Sequence, residues 1–164
     1  MTSGTPRLEI APAAFASRDT QRLVDEVQEE YVRLYGSPDS SPIEHGVFEA
    51  PRGAFFLGRV AGEPVAMGGW RWREDVAPYA GQRVAEVKRM YVAPRARRQG
   101  HAQRLLDHLE ATAAAAGAPV MVLETGTQQP AAIAMYTASG YQPIPGYGYY
   151  RTSPLSRCFA KRLS

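Results

Sequence analysis

The sequence predicts a mixed α/β fold in which helices pack on one mixed β-sheet. Strand-like and helical hydrophobic patterns alternate along the 164 residues, which is typical of this class. Glycine and proline contribute 15 and 13 residues, and this share of turn-forming residues favours strands and turns over a helical bundle. The length is that of one domain, and we therefore expect residues 1–164 to fold as a single unit.

The N-terminal third predicts a short strand, a long helix and a loop. Weak alternation over residues 8–10 indicates the strand. Between residues 19 and 35 the apolar side chains recur at spacings of four, four and three, which is one stripe of an amphipathic helix, and Gly36 ends it. Several prolines interrupt residues 37–52, which are therefore expected to form a loop.

The middle of the chain predicts a hairpin and a further strand. Residues 54–60 and 64–73 are the two arms of the hairpin, and residues 84–92 form the next strand. The second arm alternates with period two, so that its side chains separate onto two faces. One face carries Trp70 and Trp72, and the other carries Arg71 and Arg73.

The C-terminal half predicts two helices and three strands. A helix over residues 98–116 has its leucines on one side and ends at Gly117. The continuous apolar run 119–125 is typical of a strand covered on both faces. The remaining elements are a helix over residues 130–139 and strands over residues 141–144 and 156–163.

Composition excludes several classes of protein. The net charge of +3 is too small for a typical nucleic-acid-binding domain. No stretch reaches the ~20 apolar residues of a membrane span, and residues 1–7 lack the pattern of a signal peptide. We therefore expect a cytoplasmic protein that binds neither nucleic acid nor membrane.

Cysteine and histidine usage predicts no metal. Cys158 is the only cysteine, which excludes intramolecular disulfides and zinc sites built from cysteine. His101 and His108 share one face of the predicted helix, but no third ligand accompanies them. We expect both histidines on the solvated surface.

The segment 86–106 carries the strongest chemical signal. It predicts a strand, a turn broken by proline, and a helix whose start contains Arg97, Arg98, Gly100 and Ala102. Free backbone N–H groups and the positive end of the helix dipole form a site for phosphate, and glycine lets a ligand approach the backbone closely. The alternative is a crossover helix that has only a basic, solvated start.

Two motifs resemble the GNAT superfamily of N-acetyltransferases. The pattern Arg97-x-x-Gly100-x-Ala102 after the strand is similar to the pyrophosphate-binding signature of that family. Residues 129–141 resemble its second motif, with Gln129 in place of the commoner asparagine. The resemblance implies a mostly antiparallel central sheet of about six or seven strands flanked by about four helices. It also implies acetyl-CoA as co-substrate.

The resemblance further assigns residues to the coenzyme and to the chemistry. In this family the fourth and fifth strands splay apart and hold the pantetheine between them. The residues implied for coenzyme binding are Met90, Tyr91, Val92, Arg97, Arg98, Gln99, Gly100, His101, Ala102, Gln129 and Tyr136. The phenol of Tyr136 is the general acid for the leaving thiolate, and the backbone N–H of Met90 is the oxyanion donor.

The general base has three candidates. Amide formation from a thioester needs a neutral amine, and a carboxylate can accept its proton. Glu124 and Glu86 lie in the strands where the family places such a group, and ordered water without a unique carboxylate is the third possibility. Ion pairing is the plain alternative for both glutamates, with Lys88 or Arg71 as partners for Glu86.

The sequence indicates the acceptor substrate less clearly than it indicates the coenzyme. Residues 37–52 and the tyrosine-rich residues 143–154 would frame it, and our first hypothesis is a small polar amine that carries a carboxylate. The side chains expected to contribute are His45, Trp70, Arg71, Trp72, Arg73, Tyr147, Tyr149 and Tyr150. The alternatives are a protein N-terminus or lysine as acceptor, and a non-catalytic sensor of acyl-CoA. The same aromatic residues would serve equally at a sheet edge or in a homodimer interface.

Overall fold

The structure is a computed structural model that describes residues 6–163. Seven strands and three α-helices occur in that range. Their bounds are β1 Glu9–Pro12, α1 Arg18–Tyr35, β2 Gly53–Val60, β3 Glu63–Arg73, β4 Val84–Val92, α2 His101–Ala115, β5 Val120–Gly126, α3 Pro130–Ala138, β6 Gln142–Ile144 and β7 Ser156–Arg162. A single 3₁₀ turn, Pro94–Ala96, lies between β4 and α2.

One sheet contains all seven strands, in the order β1-β2-β3-β4-β5-β7-β6. Every neighbouring pair is antiparallel except β4 and β5, which run parallel because α2 crosses over between them. The predicted mixed sheet and strand count are confirmed. The helix count differs: about four were expected, and the described residues contain three. Residues 37–52 form turns and irregular chain, in keeping with Pro38, Pro42 and Pro51.

Helices cover both faces of the sheet. Helix α2 buries Leu105, Leu106 and Leu109 against one face, where they share a core cluster with Trp70 and Leu123. Helix α1 covers the other face with a separate cluster. Its buried members are Leu23, Val27, Val47, Phe48, Phe55, Leu57, Met67, Tyr91 and Ala93. The sheet is therefore apolar on both sides, as the continuous apolar run of β5 predicted.

The parallel strands β4 and β5 part shortly after they meet. Their ladder contains only the pairs Ala85 with Met121 and Glu86 with Val122. Further along, a bulge in β4 places two residues opposite Gly68, and Arg89 in that bulge has a φ of +56°. Beyond Glu86 the edge of β4 that faces β5 has no strand partner in the described part of the chain, which confirms the splay implied by the resemblance.

We expect Leu109→Ala to destabilise the protein by about 2–5 kcal/mol, because the truncation leaves a cavity between α2 and the sheet. Urea unfolding followed by circular dichroism measures this loss. Leu34→Ala is the matched control, since Leu34 on α1 is 39% exposed and its truncation leaves no enclosed void. Equal unfolding midpoints for the two variants would contradict the packing described above.

Candidate active site

A cavity of about 300 Å³ opens where β4 and β5 diverge. Its walls come from both strands, from α1 and α3, and from the two loops that precede β2 and β7. The lining residues are Tyr31, Tyr35, Ser37, Pro38, Asp39, Ser41, Glu86, Val87, Lys88, Arg89, Met90, Leu123, Glu124, Thr125, Gly126, Gln129, Tyr136, Tyr150, Ser153, Leu155 and Ser156. Three of the predicted catalytic residues, Glu86, Glu124 and Tyr136, therefore meet at one site.

Tyr136 reaches this cavity from the α2 face of the sheet. It lies near the end of α3, is 7% exposed and packs edge-to-face on Tyr141 at a ring-centroid distance of 5.8 Å. Its aromatic ring belongs to the core cluster under α2, so that packing fixes its position. Burial raises the pKa of Tyr136 to about 12, and the phenol therefore keeps its proton at neutral pH.

Glu124 approaches the cavity from the opposite face. Side chains alternate along β5, so Leu123 joins the core under α2 while Glu124 lies on the side of α1. The carboxyl group is partly buried. Burial raises the pKa of Glu124 to about 7, although the nearby ammonium of Lys88 opposes this shift. A carboxyl group with this pKa can both accept and release a proton at neutral pH.

Glu86 is held in a buried ion-pair cluster. Its carboxylate, which is 3% exposed, accepts from Nε of Arg71 at 2.9 Å and from the guanidinium of Arg73 at 3.2 Å. Arg73 also binds Asp75. Both arginines lie on the polar face of β3 that the sequence predicted. Of the two partners proposed for Glu86, Arg71 forms an ion pair with it, whereas Lys88 forms none within 4 Å. The contact with Arg71 connects β4 to β3.

The start of α2 has the features of an anion site. Gly100 precedes the helix with a φ of +80°, and no side chain caps the first-turn N–H groups. A methyl group at Gly100 would meet nothing within 4 Å, so the backbone is open on that side. Arg98 also has positive φ, at +63°, and the helix therefore begins at His101, three residues later than the sequence predicted. Arg98 and Gln99 are exposed beside this start, and Ala102 follows in its first turn.

Four of the residues implied for coenzyme binding have side chains directed elsewhere. They are Tyr91, Val92, Arg97 and His101, of which His101 is described below. The guanidinium of Arg97 donates to the Val92 carbonyl at 2.9 Å and to Glu30 at 2.8 Å, and it lies over the ring of Tyr91. The side chains of Tyr91 and Val92 belong to the two core clusters. Arg97 thereby joins the β4–α2 turn to α1, and only its backbone remains at the helix start.

The histidines correct the expectation of a solvated surface. His101 is 4% exposed, and both of its ring nitrogens are buried without a hydrogen-bond partner in the structure. His108 packs edge-on against Phe56 at a centroid distance of 4.5 Å, and burial lowers its pKa. His101 is therefore buried and His108 is partly buried, so neither lies on an open, solvated face.

Gln129 closes one end of the cavity together with α1. Its side-chain amide donates to the Tyr35 hydroxyl at 3.3 Å. The same hydroxyl lies over Gly126, where an added Cβ would be only 1.8 Å from it. A glycine at position 126 therefore lets Tyr35 reach the end of β5. Sequence reasoning missed Tyr31 and Tyr35 as cavity residues, because Tyr31 belongs to the apolar stripe of α1 and Tyr35 was only the last residue of the predicted helix.

Asp39 connects the two loops expected to frame the acceptor, residues 37–52 and 143–154. The sequence placed both loops at the site but did not single out Asp39. Its carboxylate forms an ion pair with Arg89 and accepts from Ser41 and from the Tyr150 hydroxyl, the latter at 2.9 Å. The Tyr150 oxygen in turn accepts from the backbone N–H of Ser40 at 2.8 Å. Although burial opposes its ionisation, Arg89 and the Ser41 hydrogen bonds hold the pKa of Asp39 below its ordinary value. An aspartate two residues before a serine is a turn signal that could have indicated this role.

Several side chains expected around the acceptor lie outside the cavity lining. Trp70 donates to Thr112 of α2 at 3.0 Å, and Trp72 packs edge-on against Trp70. Tyr147 is 3% exposed and lies beneath the guanidinium of Arg73 in a third core cluster. The remaining expected residues outside the lining are His45, Arg71, Arg73 and Tyr149. Of the tyrosine-rich residues 143–154, Tyr150 and Ser153 contribute to the cavity wall, and Tyr150 is the one tyrosine among them.

Two further properties bear on the class of site. No group of three histidine, cysteine, aspartate or glutamate side chains gathers at metal-binding distance within residues 6–163. Within that same range, no helix combines the length and apolar character that crossing a bilayer requires.

Breaking the cluster at Glu86 tests its structural role. We expect Glu86→Gln to lower stability by on the order of 3 kcal/mol, because two partly buried guanidinium groups lose their shared carboxylate. Thermal unfolding at neutral pH measures the change. The matched control is Glu44→Gln, which breaks the exposed ion pair with Arg52 and is expected to shift the midpoint little. Unchanged stability in Glu86→Gln would show that the cluster contributes nothing to the fold.

The comparisons with known proteins agree with this geometry. The model of the acetyltransferase (GNAT) family matches residues 20–141. An IAA acetyltransferase from Azospirillum brasilense is 30% identical over 158 residues, which are 96% of this chain and 99% of that relative.

Solved structures share the fold over nearly the whole chain. A Klebsiella pneumoniae protein classed as an acyl-CoA N-acyltransferase is 27% identical, with a TM-score of 0.76 over 96% of this chain and 98% of that one. A GNAT family acetyltransferase from Elizabethkingia anophelis, solved with acetyl-CoA bound, has a TM-score of 0.64 at 14% identity over 94% and 97% of the two chains. The chain therefore belongs to the GNAT family and is an N-acetyltransferase.

Proposed function

We propose that the protein transfers the acetyl group of acetyl-CoA to the primary amine of a small molecule, by direct attack within a ternary complex. The observation that carries the proposal is the cavity through the split sheet. Tyr136 enters it from one face, and Glu124 enters it from the other. A proton donor and a proton acceptor thus flank the gap in which an acyl group would lie.

The described residues fit acetyl-CoA. The open N-terminus of α2 at Gly100 suits a pyrophosphate, since its first-turn N–H groups have no side-chain cap and the backbone is accessible. The unpaired edge of β4 beyond Glu86 offers backbone groups to the pantetheine amides. Acetyl-CoA supplies the activated acetyl group and a thiolate leaving group. The coenzyme residues of this proposal are those named from the sequence, with Arg97 contributing through its backbone.

Glu124 is the proposed general base. An amine with a pKa near 10 is protonated at neutral pH, and it must lose one proton before its lone pair can attack. The Glu124 carboxylate accepts that proton directly or through water. The new bond joins the amine nitrogen to the acetyl carbon, and the bond from that carbon to sulfur breaks. Glu86 is less suited to this role, because two arginines share its carboxylate.

Tyr136 is the proposed general acid. The departing sulfur takes the electron pair of the broken bond, and the phenol donates its proton there. The amide nitrogen sheds its second proton, which returns through solvent to the phenolate. The backbone N–H of Met90, at the bulge beside the gap, is the proposed donor to the carbonyl oxygen as negative charge develops on it.

The two acceptor-side loops favour a small molecule over a protein. Asp39 binds Tyr150 from one loop to the other, and both residues line the cavity that contains Glu124. A protein N-terminus or lysine would need an open groove at that point. A non-catalytic sensor would need neither a buried phenol nor a carboxyl group with a pKa of about 7 at the gap.

The pH dependence tests Glu124. Because the carboxylate is the active form, kcat is expected to rise as the pH increases through about 7 and to level off above it. Glu124→Gln should lower kcat by about 10²-fold at pH 8 and remove this inflection. Acetylation is measured from pH 5.5 to 9 at saturating substrates. Glu86→Gln is the comparison and should keep the inflection. Loss of the inflection in Glu86→Gln, with its retention in Glu124→Gln, would instead make Glu86 the base.

The role of Tyr136 is tested by thiol release from acetyl-CoA with a panel of primary amines. We expect Tyr136→Phe to lower kcat by about 10²-fold while the affinity for acetyl-CoA stays within a few-fold of the wild type. Tyr141→Phe is the matched control, because that phenol hydrogen-bonds Glu110 outside the cavity. An undiminished kcat in Tyr136→Phe would eliminate the acid role.

A further inference from the structure

The basic side chains that line the cavity differ in whether they form an ion pair with a carboxylate. Within the described residues, Lys88 and Arg89 are the basic side chains of the lining. Arg89 is paired with Asp39. The neighbouring arginines of β3 are also engaged, Arg71 with Glu86 and Arg73 with both Glu86 and Asp75. Lys88 forms no ion pair among residues 6–163, and its closest polar contact is the Ser41 hydroxyl at 3.5 Å.

Lys88 also lies where an acceptor would lie. Side chains alternate along β4, so Lys88 is on the same face as Glu86, away from the core under α2. This is the face of the split sheet to which β5 contributes Glu124. The ammonium of Lys88 and the carboxyl of Glu124 are near enough to influence one another electrostatically, yet they are more than 4 Å apart. A molecule between them would meet a cation on one strand and a proton acceptor on the other.

From this arrangement we infer that the acceptor amine also carries a carboxylate, and that Lys88 binds it while the amino group faces Glu124. The inference rests on the proposed function, since it assumes that Glu124 receives the amine. A partly buried ammonium that has no carboxylate of the described residues within 4 Å can form a charge-assisted hydrogen bond with an anion that enters the cavity.

Matched substrates test this inference. A panel of α- and ω-amino acids is compared with the corresponding carboxamides, which keep the amine and the carbon skeleton but lack the negative charge. We expect the wild-type enzyme to acetylate its best amino acid with a kcat/KM on the order of 10²-fold above that of the carboxamide. Lys88→Met should reduce the ratio of the two kcat/KM values to about 1. Any slowing that follows from the loss of the Lys88 charge near Glu124 affects both substrates and cancels in this ratio.

Two variants sharpen the result. Lys88→Glu should reverse the preference, because a carboxylate at position 88 repels the acid. Lys161→Met removes the other lysine of the sequence, which pairs with Glu110 outside the cavity, and should leave the preference intact. Equal rates for acids and carboxamides in the wild type would overturn the inference, as would a preference for acids that survives Lys88→Met.

A binding measurement separates this inference from the proposed function. If no amine in the panel is acetylated, the proposed function fails, but titration calorimetry still reports on the anion site. In the presence of CoA, the amino acids should release heat on binding to wild-type enzyme and show at least tenfold weaker binding to Lys88→Met. Equal binding to both proteins would exclude Lys88 as the carboxylate site whatever the catalytic result.

Discussion

The short parallel contact between β4 and β5 determines most of what this protein can do. Two residue pairs join the strands, and beyond Glu86 and Val122 they diverge. Glu86 stands at the point of divergence, where its contact with Arg71 ties β4 firmly to β3. The sheet can therefore open on the β5 side without losing its attachment on the β3 side. The cavity, the unpaired backbone of β4 and the opposed positions of Tyr136 and Glu124 all follow from this one break.

The two halves of the site depend on different kinds of support. Tyr136 is positioned by apolar packing, since its ring belongs to the core under α2. The acceptor side is positioned by charge, through the contacts that Asp39 makes with Arg89, Ser41 and Tyr150. The side chains of Asp39 and Arg89 are only 16% and 7% exposed, so salt screens this ion pair less than it would screen a pair on the surface.

The sequence was sufficient for the features that local patterns encode. Periodicity located the helices and strands within a few residues, and the spacing of Arg97, Gly100 and Ala102 identified the helix start. Pairing across the fold was harder to infer, because nothing in the sequence says whether Glu86 binds Lys88 or the arginines of β3. The burial of His101 was also missed, because histidine is a polar residue type and the pattern therefore did not predict a core position.

The bulge at Arg89 has an energetic consequence for the whole acceptor side. A φ of +56° is a conformation that glycine adopts freely and that costs other L-residues roughly 1–2 kcal/mol. Glycine at this position would relieve the backbone, but it would release Asp39 and the loop attached to it. The conformation of Arg89 therefore lowers the stability of the backbone at this residue, but it fixes the loop that forms the acceptor side of the cavity. Selection for a more stable fold and selection for a well-formed acceptor site act in opposite directions at this position.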